Sequence, residues 1–460
     1  MVVQKFGGTS VADPDAIRRV IAIARETRAR DGRGPVLVVS AMSGVTDALL
    51  GVAASAGARE TDEAVAHLGT LRERHLASAA ALTTGARAAS LAAWLNGQFD
   101  ELVAVARALG VLREVSSRTL DAIAASGELF NSRIIAAALE EAALPAAWVD
   151  ARHAIVTNEE HTRAVPLMRE TMAALRASVV PLLDGGSIPV LGGFVGSTSA
   201  GITTTLGRGG SDYSGAIVGA GIGAREIQIW TDVDGMLTAD PRIVPSPKLV
   251  PELSFAEASE LAYFGAKVLH PSTILPAMER DIPVRILNAR KPDGEGTRIV
   301  AQLSQAVSAG QDRAGAGIAA LACKRDLTVV DITSTRMLMA YGFLRQLFEV
   351  FERFRTPVDV VTTSEVSVSV TVDDRRHLDA IGEALSEFAE VAVEPDMALL
   401  CAVGDGLRGN ASLAPRVLRV LEHVPLRMVS QAASRRNITV VLRQADLTGA
   451  MQRLHHEFFA

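Results

Sequence analysis

The chain has 460 residues, and its 46 lysines and arginines against 52 aspartates and glutamates leave a formal charge of −6, which gives no support to a nucleic-acid or other polyanionic partner. Cys323 and Cys401 are too few and too far apart for a disulfide framework or a cysteine-based zinc site. The length exceeds one compact core, and with neither a leader pattern nor an apolar run of membrane-spanning length the expectation is a multidomain cytoplasmic protein.

The chain opens with an apolar strand, Val2 and Val3 then Gln4, that runs into Lys5, Phe6, Gly7, Gly8, Thr9 and Ser10. Adjacent glycines allow backbone N–H groups to approach an anion, and Lys5 adds a full positive charge, so this turn suits a phosphate; two glycines after a strand also mark an ordinary tight turn. Asp13 and Pro14 then form a helix start, and Ile17, Val20, Ile21 and Ala24 follow at helical spacing. A Walker A loop is absent. Short continuous apolar runs at 35–40, 188–191, 226–230 and 283–286 predict strands covered on both faces, hence an α/β/α sandwich with a mostly parallel central sheet. Residues 52–113, rich in alanine, leucine and charge, predict a helical insertion.

Glu128 is predicted at the start of a helix, where it either complements the helix dipole or anchors a substrate ammonium. The run 203–212 holds Arg208, Gly209, Gly210, Ser211 and Asp212 ahead of a helix expected over 213–218. Glycines and a serine at a helix N-terminus favour an anion, and the arginine fork matches a carboxylate; a flexible surface loop is the alternative. Trp230, Thr231 and Asp232 stand where a strand ends, the position at which open α/β sheets bind ligands. Arg242 and Lys267 are candidate phosphate neutralisers or solvated charges. Gly219, Gly221 and Gly223 imitate a dinucleotide fingerprint but follow a helix, so they are read as a helix stop. After a polar connector the pattern becomes strand, helix, strand pair, helix, and repeats, with Pro357 and Pro425 at matching places. This predicts two small βαββαβ modules. The expected division is 1–298, a connector at 299–317, and modules at 318–394 and 395–460.

Five motifs in order, at 5–10, 203–212, 230–235, 239–242 and 264–271, with the tandem modules behind them, resemble the aspartate kinases of the amino-acid kinase family. The likeness is to the monofunctional lysine-sensitive type with paired ferredoxin-like ACT domains. The resemblance implies transfer of the ATP γ-phosphoryl group, with Mg²⁺, to the β-carboxylate of L-aspartate, as the first step of aspartate-family amino-acid biosynthesis. It implies Lys5 at the transferred group with Asp212 ordering it, and Phe6, Gly7, Gly8, Thr231, Asp232, Leu237, Arg242, Lys267 and Val268 around the nucleotide. Ser40, Thr46, Glu128, Arg208, Gly209, Gly210 and Ser211 would form the aspartate pocket. An amino-acid effector, lysine first, would meet Met337, Gly342, Phe343, Leu344, Val358, Asp359, Ser364, Glu365 and Val366 at a homodimer contact. Leu237 stands where relatives commonly carry tyrosine, and Arg336, Met339 and Ala340 depart from the usual lysine-binding stretch. Another amino-acid kinase, or a silent amino-acid sensor on a kinase scaffold, are the competing readings.

Overall fold

The computed structural model describes residues 1–265, 271–304, 317–337, 341–431 and 434–460. Lys267 and Val268 lie outside these residues, as do Met339 and Ala340. The chain divides into two compact units that are not cut at one point in sequence. The first is Met1–Met236 with Pro251–Phe255 and Val268–Gln302; the second is Leu237–Val250, Ala256–Lys267 and Leu303–Ala460.

In the first unit, eight strands among the described residues form one sheet. In chain order they are β1 (Val2–Phe6), β2 (Val36–Val39), β3 (Ala146–Val149), β5 (Ile188–Gly192), β8 (Glu226–Thr231), β9 (Glu252–Ser254), β10 (Val284–Asn288) and β11 (Thr297–Val300). Their spatial order is β3-β5-β2-β1-β8-β10-β11-β9. Every neighbouring pair is parallel except β10 with β11. A small second sheet holds β4 (Val156–Thr157), β6 (Val195–Thr198) and β7 (Thr203–Thr205). β1 and β2 are buried at every position, as strands covered on both faces require.

Register sets the site. Phe6 lies opposite both Val39 and Trp230, and Val39 lies opposite Gly192. Because these strands are parallel, the residues that follow each of them, Gly7, Ser40, Gly193 and Thr231, emerge at the same sheet edge, at the point where the chain order reverses around β1.

The helices form where the sequence says they should, with two instructive shifts. Helix α1 (Pro14–Asp31) starts on the Asp13 side chain, which accepts from the Ala16 N–H at 2.8 Å, and stops at Gly32 with φ of 68°. Helices α2 (Val45–Gly57), α3 (Thr61–Leu82) and α4 (Gly85–Leu112) realise the helical insertion. The first shift concerns Glu128. It does not begin a helix: α5 runs Ser117–Glu141, capped by the Ser116 hydroxyl, and Glu128 sits mid-way along it. Gly127 is no break there, because a Cβ at that position would come 2.9 Å from the Ala41 Cβ; the glycine lets α5 press on the β2–α2 turn. A dipole-complementing role for Glu128 is thereby removed. After α6 (Met168–Ser178) and α7 (Val180–Asp184) comes the second shift: α8 spans Gly210–Ile222, so Ser211 and Asp212 lie in its first turn. Gly223, with φ of 64°, ends it as the helix stop expected there.

In the second unit six strands form an antiparallel sheet in the order β13-β14-β12-β15-β17-β16. They are β12 (Ala320–Thr333), β13 (Val361–Thr363), β14 (Ser367–Val372), β15 (Glu390–Val403), β16 (Leu426–Ser430) and β17 (Asn437–Arg443). The duplication is visible as two cores on one sheet. Val330 and Ile332 pack with Phe343, Leu347, Val368 and Ile381, whereas Leu321 packs with Leu400, Val417, Val440 and Met451. The two 14-residue strands β12 and β15 serve both cores, and register irregularities from Lys324 to Val329 mark the change of core. The first strand of the first module therefore also completes the second. Ala239, Ile243 and Val244 join that second core.

Candidate active site

Lys5 is the last but one residue of β1 and only 8% exposed. A buried ammonium needs an anion, and Asp212 in the first turn of α8 supplies it: Nζ lies 2.7 Å from the carboxylate. Two glycines make room. A Cβ at Gly215 would stand 3.1 Å from the Lys5 Cβ, and one at Gly7 would stand 3.6 Å from Nζ. The Gly7 N–H donates to the Trp230 carbonyl at 3.1 Å and the Phe6 and Trp230 rings stack, which ties the glycine turn to the end of β8. Thr231 is half-buried and Asp232 exposed at that same end.

Glu128 reaches the edge from α5 and is 3% exposed. Burial pushes its carboxyl up to about 8, against the opposing pull of the Ala41 N–H, its own N–H and the Lys5 charge. It is placed by a glycine pair that the sequence analysis passed over. A Cβ at Gly192 would come 3.1 Å from the Glu128 carbonyl, and one at Gly193 would come 2.8 Å from the Ser211 Cβ. The end of β5 thus admits α5 on one side and the start of α8 on the other. Two glycines directly after an apolar strand, the same signature as Gly7 and Gly8, were the available signal.

Arg208 sits in the loop before α8 between Gly207 and Gly209, both with φ of 73°. It is exposed and has no ion-pair partner among the described residues, so its guanidinium is free for a ligand. The loop is anchored below by Asp121, also unrecognised in sequence. This buried carboxylate accepts from the Thr205 hydroxyl at 2.5 Å, the Thr162 N–H at 3.0 Å and His161 Nδ1 at 2.7 Å. Ser40 follows β2, its N–H donating to the Phe6 carbonyl at 3.1 Å, and Thr46 is half-buried at the start of α2. The structure thus brings Lys5, Gly7, Gly8, Ser40, Glu128, Ser211, Asp212 and Thr231 to one strand edge. Leu237 and Arg242 belong to the second unit, where Arg242 forks onto Asp240 at 2.6 and 3.0 Å.

A model of the amino acid kinase family matches residues 1–288, and an ACT-domain model matches residues 400–458. The lysine-sensitive aspartokinase 3 of Escherichia coli is 33% identical over 100% of this chain and 99% of its own length. The chloroplastic aspartokinase 3 of Arabidopsis thaliana is 36% identical over 99% of this chain and 81% of its own. The chain belongs to the aspartokinases of the amino acid kinase family. Solved structures agree. E. coli aspartokinase III in complex with aspartate and ADP superposes with a TM-score of 0.83 at 33% identity, covering all of both chains. The same enzyme in complex with lysine and aspartate gives 0.82, again at 33% identity and full coverage of both chains.

The residues expected at an effector site lie in the second unit. Gly342, with φ of 84°, opens the helix Phe343–Arg353; Phe343 is buried and Leu344 exposed. Met337 and Val358 pack on the first module's core, and Ser364, Glu365 and Val366 form the exposed turn between β13 and β14. Asp359 is half-buried, its carboxylate covered. Lys324 Nζ lies 2.8 Å from its carboxylate and 2.7 Å from Asp373, and the Tyr263 hydroxyl donates to Asp359 at 3.4 Å. Arg427, in the matching part of the second module, pairs with Asp331 and Glu394.

Proposed function

We infer that the chain transfers the γ-phosphoryl group of ATP to the β-carboxylate of L-aspartate, giving 4-phospho-L-aspartate and ADP. The observation that carries this reading is the convergence of an ion-paired, buried Lys5, a buried Glu128 and an unpaired Arg208 around the ends of parallel strands in an aspartokinase fold. The chemistry asks for no general base, because a β-carboxylate with a reference pKa of about 3.9 is ionised at neutral pH. The barrier is the approach of two anions. Lys5 would neutralise charge on the moving phosphoryl group, with Gly7 and Gly8 offering backbone N–H groups and Asp212 holding the ammonium in place. Thr231 and Asp232 would meet the nucleotide.

Arg208 would take the substrate α-carboxylate as a fork, Glu128 its ammonium, and Ser40, Thr46, Gly209, Gly210 and Ser211 would line the pocket. Magnesium enters as part of the substrate, MgATP. A hydroxamate assay with aspartate and glutamate, with and without ATP, tests the reading. Product from glutamate alone, or from neither, would overturn it.

Lysine is the proposed effector, with Asp359 as the acceptor of its amino group. The similarity to a lysine-sensitive relative supports this, and an arriving amino group would displace the Lys324 ammonium that sits on that carboxylate. The apolar side chains of Leu344, Phe348, Val361 and Val366 exposed on this module support its use as a homodimer contact. Calorimetry with lysine and threonine separately tests the effector; heat and inhibition from threonine alone would replace lysine.

A further inference from the structure

One face of α5 meets a single peptide group at both ends. Asn131 Nδ2 donates to the Ser40 carbonyl at 2.8 Å, and the Ala41 N–H, the other end of the same peptide, helps draw the Glu128 carboxyl back down. Residues three apart on a helix share a face, so Glu128 and Asn131 stand one turn apart over the Ser40–Ala41 link. Each is then left with one oxygen. Glu128 Oε2 and Asn131 Oδ1 are both buried and neither has a protein hydrogen-bond partner. Asn131 is 0% exposed and Glu128 3%. Buried acceptors without donors are uncommon and costly, and two of them a turn apart beside a substrate pocket describe a place made for a donor.

We propose that Asn131 Oδ1 is a second acceptor for the α-ammonium of the substrate, beside Glu128. The inference rests on the aspartate reading of this site and deepens it. An ammonium presents three N–H donors and no acceptor, so it satisfies both oxygens at once. A carboxylate or phosphate placed there would meet Asn131 Oδ1, an acceptor only, and could gain no more than the single O–H of neutral Glu128. The pair therefore selects an α-amino acid over the corresponding dicarboxylic acid, and fixes which end of the substrate faces α5. Ser40 is held by the same amide group, so the donor half of Asn131 sets the pocket wall while its acceptor half reads the ligand.

The test uses the full chain and two ligands, L-aspartate and succinate, which share both carboxylates and differ in the ammonium. Dissociation constants are measured by calorimetry for the wild type, Asn131→Ala, and Asn131→Ala in a Glu128→Gln background. Loss of a hydrogen bond to a charged group predicts that L-aspartate binding weakens about tenfold or more beyond any weakening of succinate, which reports the lost hold on Ser40. The same selective loss is expected in the Glu128→Gln background, where a residue acting only through Glu128 would have no further effect. Parallel weakening of both ligands, or an indifferent Asn131→Ala, overturns the proposal alone. A wild type that does not bind L-aspartate overturns the function and the proposal together. If Asn131→Ala does not fold, Asn131→Leu, of the same size but with neither donor nor acceptor, takes its place and must lose the preference for L-aspartate over succinate; a preference that stays also overturns the proposal.

Discussion

Replacing Glu128 by glutamine should make the protein more stable and less able to bind its substrate, and the gain should depend on pH in a defined way. Burial raises the Glu128 carboxyl from an ordinary 4.5 to about 8. Between those values the unfolded chain ionises Glu128 and the folded chain does not, so the folded state binds more protons and loses stability as pH rises. Each unit of pH costs about 1.4 kcal/mol, so the wild type should fall behind Glu128→Gln by about 3 kcal/mol at pH 7 and about 5 kcal/mol above pH 8, with little difference below pH 4.5. Glutamine has the same shape, does not titrate, and can still accept from the Ala41 N–H. Urea unfolding of the two proteins in parallel at pH 5, 7 and 8.5 isolates this one group, because other titrations largely cancel in the difference. A difference that stays flat across that range, or a wild type that gains on the variant with rising pH, would refute the burial argument. The same logic reaches function: an arriving ammonium draws Glu128 into its charged form, so L-aspartate binding at pH 7 should release close to one proton. Calorimetry in buffers of different ionisation enthalpy reads that number, and Glu128→Gln should abolish it.

Lys5→Ala should leave the fold intact and lower kcat by about 10²–10³-fold or more, as expected for removal of a group that stabilises transition-state charge; near-normal kcat would exclude Lys5 from that role. Arg208→Ala should raise the KM for aspartate by about tenfold or more with little change in stability, since the side chain is exposed and unpaired; a change confined to the KM for ATP would reassign it. Gly193→Ala should lower both Tm and kcat, because the new Cβ meets the Ser211 Cβ at 2.8 Å and pushes the first turn of α8, with Asp212, off Lys5. Asp359→Asn should blunt inhibition by lysine while leaving uninhibited turnover unchanged, read from initial rates across a lysine titration.

What could be read from sequence was what is encoded locally. The glycine turn after β1, the Asp13 cap with Pro14, and the Gly223 stop all obey rules that span a few residues, and each stands where those rules put it. The two modules were legible because a duplicated order of elements survives substitution. Glu128 was set at a helix start, whereas α5 runs straight through it. Only packing shows that Gly127 is there to let α5 meet Ala41.

The rest depends on partners distant in sequence. Asp212 becomes the counter-charge of Lys5 from 207 positions further along the chain, and Gly192 and Gly193 matter because of what lies against them. The hold of Asn131 on the Ser40 carbonyl, one turn from Glu128, appears only once α5 lies over the β2–α2 turn. The division into modules was decided in three dimensions too, since residues 320–324 pair with 399–403 of β15 in one core and residues 327–333 pair with 390–397 of the same strand in the other. Sequence alone determined the elements, their chemistry and the family they resemble. Tertiary structure decided which charges are buried together, because desolvation and hydrogen-bond satisfaction are properties of neighbours in space and leave no mark at fixed spacing along a chain.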